Sequence, residues 1–124
     1  MSTEDNATPA DPCPIASSIE VFGGKWKSSI LFFLYRDGTL RFSELNRRIP
    51  MVSKRMLTLQ LREMERDGLV ERVRFREVPP RVEYSATPLA KSLIPVFKVI
   101  ESWGDDNMNS VQASRSQFES EASD

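Results

Sequence analysis

The chain has no histidine and a single cysteine, Cys13. Cys/His metal sites need several such ligands, and imidazole is the commonest catalytic acid or base, so both chemistries lose their usual parts. One cysteine also rules out an internal disulfide framework and fits a reducing compartment. Glycine is scarce, and the five present form neither a Walker loop nor a dinucleotide fingerprint. The longest strongly apolar run, residues 30–35, falls far short of the roughly 20 residues a membrane span requires. The acidic N-terminus lacks the apolar segment of a signal peptide. The expectation is a cytoplasmic protein with no membrane partner, no cofactor and no enzymatic activity. Glu63, Glu65 and Glu71 read as solvated charges rather than a catalytic carboxylate pair.

What is present is unevenly placed charge. The net charge of the 124 residues is only -1. Between residues 25 and 84, however, 14 Lys or Arg stand against 8 Asp or Glu, and the acids in excess lie in the tails. A local basic patch, not the whole-chain pI, governs attraction to phosphate.

Residues 42–76 organise the rest. Ser43 is a candidate N-cap, Leu45 and Ile49 recur at helical spacing, and Pro50 ends that helix because it lacks an N–H and restricts Ile49. After a turn at Met51 and Val52, Ser53 can cap a second helix that runs to Asp67 and stops at Gly68. At about 100° per residue, Leu57, Leu61 and Met64 share one face. Arg55, Leu59, Arg62 and Arg66 share the other, with Lys54 and Thr58 beside them. A short helix, a turn and a longer helix with a basic outer face are the parts of a helix-turn-helix, whose second helix enters the DNA major groove. The same parts are compatible with a module whose basic face binds an acidic protein.

Residues 1–11 are small, polar and acidic, and read as a disordered arm. Pro14 suits the first turn of a helix carrying Ile15, Ile19 and Phe22, and Gly23 and Gly24 break it. A further helix should bury Trp26, Ile30, Phe33 and Leu34 before the turn at Asp37 and Gly38. Residues 40–42 are a candidate short strand. Beyond Gly68 the period becomes two: Val73 and Phe75 alternate with Arg72, Arg74 and Arg76, and after a bend at Val78, Pro79 and Pro80, Val82 and Tyr84 alternate with Arg81, Glu83 and Ser85. These strands make a hairpin wing, with Arg74, Arg76 and Arg81 expected on its outer face. Thr87 and Pro88 open a last helix bearing Leu89, Leu93, Val96, Phe97, Ile100 and Trp103, with a kink expected at Pro95. That stripe is wider than a small core requires, which suggests packing on a second copy through these residues together with Ile15 and Ile19. Residues 105–124 read as a polar tail, frayed or disordered. The fold expected is mainly α with a small β-wing (α+β), its domain spanning residues 12–104.

Six motifs in order carry a family resemblance: CPI at 13–15, GGKW at 23–26, RFSEL at 41–45, DGLVER at 67–72, PPRVEY at 79–84 and a last helix ending in Trp103. The chain resembles the HxlR family of bacterial winged helix-turn-helix transcriptional regulators, relatives of the MarR group. The resemblance implies a homodimer that binds double-stranded DNA, often as a repressor. On the helix face and hairpin read above, Ser53 is the expected phosphate contact, Lys54, Arg55, Thr58 and Arg62 the base or phosphate readers with Leu59 among them facing the groove, and Arg74, Arg76 and Arg81 the wing contacts. Ala86 and Ala90 depart from the family's pattern at the start of the last helix, and Leu59 stands where a polar residue is common, which is compatible with a contact to a thymine methyl or with simple tolerance of leucine there. Some similar proteins use an N-terminal cysteine to sense oxidants or electrophiles. Cys13 precedes a helix N-terminus, where the dipole favours a thiolate, so an oxidant effector is one expectation and a small-molecule effector another.

Overall fold

A proline that suits a first helical turn follows Cys13, and the chain turns helical there. In the computed structural model, which describes residues 13–122, α1 spans Pro14–Phe22 and α2 spans Lys25–Asp37. The arm expected over residues 1–11 lies outside the described residues. The order continues with β1 (Leu40–Arg41), α3 (Phe42–Arg48), α4 (Lys54–Arg66), β2 (Val70–Phe75), β3 (Arg81–Ala86), α5 (Pro88–Lys91) and α6 (Ile94–Ala122). The chain divides into two units, one ending at Lys91 and one beginning at Ser92. No helix among the described residues is long and apolar enough to cross a membrane.

In the first unit α2 packs against α3, α4 and β3. Ile30, Leu31 and Leu34 on α2, Leu45 on α3 and Leu57, Leu61 and Met64 on α4 are all buried. The buried stripe of α2 is rotated slightly from the expected one. Lys27, not Trp26, leads it, and Phe32 stays half exposed, its ring edge-on to Phe33 with the Arg36 guanidinium over both.

Helix α3 begins two residues earlier than its sequence suggests. Arg41, not Ser43, is the N-cap residue, because the Glu44 carboxylate reaches back to accept the Arg41 backbone N–H at 2.8 Å. At the end of α4 the expected stop holds, as a Schellman motif. The Leu69 N–H donates to the Met64 carbonyl at 2.8 Å and the Gly68 N–H to that of Glu65 at 3.1 Å, with Gly68 at φ +82°. A left-handed residue is needed there, and glycine adopts it without a Cβ penalty.

The sheet has the order β1-β3-β2, all antiparallel. Opposite residues in such a ladder share a face. Leu40 and Arg72 both pair with Tyr84, and Arg74 pairs with Val82, so this face carries Val70 into the core and then runs out toward the hairpin tip. The other face carries Val73 beside Glu83 and Phe75 beside Arg81. The expected division into an apolar and a three-arginine face is therefore overturned. Arg74 and Arg81 fall on opposite faces, because the register places Phe75, an apolar position, opposite Arg81.

Pro95 does not kink a continuous helix. The chain leaves helix at Ser92 and Leu93 and restarts, so Pro95 lies in the first turn of α6, where its missing N–H costs no bond. The second unit is this one helix of 29 residues, about 43 Å at the usual rise, with no buried residue. Residues 105–122, expected as frayed or disordered, are helical. Gly104 costs a helix only about 1 kcal/mol, and side chains bond along the axis, Asn107 Nδ2 to the Trp103 carbonyl at 2.9 Å and Gln117 to Glu121 at 3.1 Å.

Asp37 joins the end of α2 to α3. Its carboxylate accepts from Arg36 and, at 2.7 Å, from Arg48, whose Nη1 also donates to the Glu44 carbonyl. These guanidinium hydrogen bonds hold the carboxyl at about 2, down from an ordinary 3.8. A lowered folded-state value means stability that is complete above the unfolded value and lost as pH falls through the folded one. Asp37→Asn should therefore have a lower urea midpoint than the parent at neutral pH, with the gap closing as pH is lowered from about 4 to about 2.

Candidate nucleic-acid interface

The side chains expected at DNA are gathered on one helix face by the burial of the opposite one. With Leu57, Leu61 and Met64 inside, Lys54, Arg55, Thr58, Leu59 and Arg62 all point to solvent. Ser53 is the N-cap, its Oγ accepting the Met56 N–H at 3.0 Å, which leaves its own hydroxyl proton for an outside acceptor. Ser53, Arg55, Met56, Thr58, Leu59 and Arg62 line one shallow depression. The Thr58 hydroxyl donates to the Lys54 carbonyl at 2.8 Å, and Gln60 donates to the Met56 sulfur at 3.3 Å.

The turn that presents this helix is held from both sides. Ile49 and Val52 are buried, the Val52 N–H donates to the Ile49 carbonyl, and Asn46 Nδ2 donates to the Val52 carbonyl at 3.1 Å. Asn46 escaped the sequence reading, since nothing in an amide on a short helix points to its partner six residues on.

Ion pairing decides which cations remain available. Arg36 and Arg48 meet Asp37, Arg66 meets Asp67, Arg72 meets Glu65, and Lys27 meets Glu63. Arg81 meets both Glu77 and Glu83, with its guanidinium 4.2 Å from the centre of the Phe75 ring. Among the described residues, no ion pair takes up Lys54, Arg55, Arg62, Arg74 or Arg76. Those five cations lie on the recognition helix and the outer part of the wing. Arg81 stands apart from them, bound within its own hairpin.

Glu63 and Glu65, expected as solvated charges, each have a basic partner. The Lys27 ammonium lies 2.9 Å from Glu63 Oε1, with Lys27 buried and Glu63 about a third exposed, which lowers the Glu63 pKa through that hydrogen bond and charge. The sequence signal was present: Lys27 falls in register with Ile30, Leu31 and Leu34, and a cation inside an apolar stripe requires a buried partner. Tyr35 and Tyr84 have raised pKa values from burial. Among the described residues no cluster of three or more His, Cys, Asp or Glu is placed to hold a metal.

The remaining expected residues lie elsewhere. Cys13 is exposed at the N-cap position of α1, and Ile15 and Ile19 are exposed on that helix. In the second unit Val96, Ile100 and Trp103 are exposed, and Leu93 and Phe97 half-buried, along one side of the chain leading into and through α6.

A three-helix core, a helix α4 whose outer face carries the unpaired cations Lys54, Arg55 and Arg62, and a two-stranded wing define a winged helix-turn-helix transcriptional regulator. The chain belongs to the HxlR-like helix-turn-helix family, whose model matches residues 21–112. It is 44% identical over 117 residues to the HTH-type transcriptional regulator YybR of Bacillus subtilis, covering 94% of this chain and 93% of YybR. Among solved structures it is similar to the redox regulator HypR in its reduced form, with 44% identity, a TM-score of 0.73, and coverage of 82% of this chain and 99% of that one. It is also similar to diamide-treated YodB from Bacillus subtilis, with 35% identity, a TM-score of 0.66, and coverage of 77% and 94%.

The Lys27–Glu63 pair ties α2 to the back of α4, and removing one partner leaves the other without its counter-charge, with Lys27 the more buried of the two. Lys27→Met should lower the urea midpoint, and adding Glu63→Leu should recover most of that loss. The pair's contribution is complete above the ordinary carboxylate range and fades as pH falls through the lowered Glu63 value, so the Lys27→Met deficit should shrink in acid.

Proposed function

We propose that the chain is a sequence-specific DNA-binding regulator that acts as a homodimer, each copy placing α4 in the major groove and its wing against the backbone or minor groove. The observation that carries this reading is the set of five cations, Lys54, Arg55, Arg62, Arg74 and Arg76, left without acidic partners on α4 and the wing, where Arg66, Arg72 and Arg81 are paired. Exposed arginines read guanine or grip phosphate, and Ser53 with the α4 N-terminus suits a phosphate oxygen. Arg81 has a supporting role in this reading: it stiffens the wing by gripping Glu77, Glu83 and Phe75 rather than reaching out.

Dimerisation is supported by α6, whose Val96, Ile100 and Trp103 stand exposed on a helix with no buried residue, and by Ile15 and Ile19 on α1. A two-fold dimer would set its recognition helices about 34 Å apart, on successive major grooves. Repression is the sign we propose, because a dimer on two successive grooves occludes the DNA it covers. Fluorescence anisotropy on genomic fragments selected by the protein, against scrambled DNA, tests the whole reading. If six to ten phosphates are neutralised per dimer, affinity should fall about 10³- to 10⁵-fold between 50 and 200 mM salt. Equal binding to selected and scrambled DNA, or binding insensitive to salt, would overturn it and favour an acidic protein partner.

Control by oxidants through Cys13 is the second part of the proposal. The thiol is exposed at a helix N-terminus, and two similar structures are of a protein described as a redox regulator and of one treated with diamide. With one cysteine per chain, oxidation yields a sulfenic acid, a mixed disulfide with a small thiol, or a bridge between subunits. Operator affinity of the parent should change on diamide treatment and be restored by a reducing thiol, while Cys13→Ser protein should hold its affinity throughout.

A further inference from the structure

The face that α4 turns outward is basic at its edges and apolar in its middle. Leu59 is 48% exposed and Met56 is 36% exposed, and both line the depression that Arg55 and Arg62 flank. The polar groups nearest to them are engaged within the helix. The Thr58 hydroxyl donates to the Lys54 carbonyl, with Thr58 lining the same depression as Leu59, and Gln60, half-buried, donates to the Met56 sulfur. Gln60 is the only side-chain amide on α4. Gln60 does not line the depression and spends an amide N–H on the Met56 sulfur, so the side chains that do line it can meet an A·T pair at its thymine methyl.

We propose that Leu59, with the Thr58 methyl, is a specificity-determining residue that contacts a thymine C5-methyl group in each half-site. Along the helix axis Arg55 lies about 6 Å before Leu59 and Arg62 about 4.5 Å after it. That spacing is one to two base-pair steps of about 3.4 Å on either side. The methyl-reading centre is thus bracketed by cations suited to guanine or to phosphate, and an uncharged, largely apolar spot between them is matched only by a base edge that carries a methyl group. A polar base edge in that place would lose its water and gain no partner.

The inference rests on α4 being the DNA-reading helix, and its test separates the two claims. An operator selected by the protein is remade with each thymine replaced in turn by uracil, which removes the methyl and leaves the hydrogen-bonding edge intact. Parent and Leu59→Ala proteins are titrated against each duplex, with melting temperatures checked to show that the half-exposed position tolerates alanine. At one position in each half-site, uracil should weaken the parent about fourfold per methyl lost, and the Leu59→Ala protein should bind the thymine and uracil duplexes alike. A parent indifferent to uracil at every position, or a Leu59→Ala protein that keeps the full penalty, would overturn the assignment while leaving operator binding in place. No preference for the operator over scrambled DNA would overturn both claims.

Discussion

Burial of Leu57, Leu61 and Met64 against Ile30, Leu31 and Leu34 fixes the rotation of α4, and nearly everything the surface offers depends on that rotation. A helix is free to turn about its axis until one face has a better place to go than water. Three apolar side chains at helical spacing settle the matter by several kcal/mol, since each is worth about 1.5–3 when buried. Five exposed residues are then carried outward together. The Lys27–Glu63 pair adds direction to an interaction that has none, as apolar burial alone tolerates a helix sliding along its own axis whereas an ammonium at 2.9 Å from a carboxylate does not.

Neutralisation matters as much as the cations themselves. The middle of the chain carries many basic residues, and a raw count suggests a diffusely positive domain. The structure sorts them. Asp37, Glu63, Glu65, Asp67, Glu77 and Glu83 each pair with a nearby cation, which leaves Lys54, Arg55, Arg62, Arg74 and Arg76 on α4 and the outer wing without an acidic partner among the described residues, alongside Lys25, Arg41 and Arg47 on the α2–α3 side. Concentration of one sign is what speeds encounter with a polyanion.

Much of this was legible in the sequence because it obeys local rules. The periods of 3.6 and 2, Ser53 as a cap, Gly68 as a stop and the proline at the start of α1 each act within a few residues. What was hidden depends on partners far along the chain. The α3 start is a local exception: Glu44 accepts the Arg41 N–H, which makes Arg41 rather than Ser43 the N-cap. The faces of the wing were misjudged because strand register is set between two segments, and each alternation alone is consistent with either pairing. The α6 extension was missed because polar residues 105–122 are weak evidence for helix or coil by themselves. Lys27 was the exception, visible in principle as a charge in an apolar stripe.

Thr87 closes a small knot where the recognition helix and the wing part company. Its hydroxyl donates to the Gly68 carbonyl at 2.6 Å, its backbone N–H donates to the Leu69 carbonyl, and its Oγ accepts from the Ala90 N–H. The end of α4 and the exit of β3 are thereby tied together, and Arg72 pairs with Glu65 beside them. In the DNA complex proposed above, helix and hairpin would then meet the duplex as linked parts, and sequences that deform easily would gain from their flexibility at bases no side chain touches.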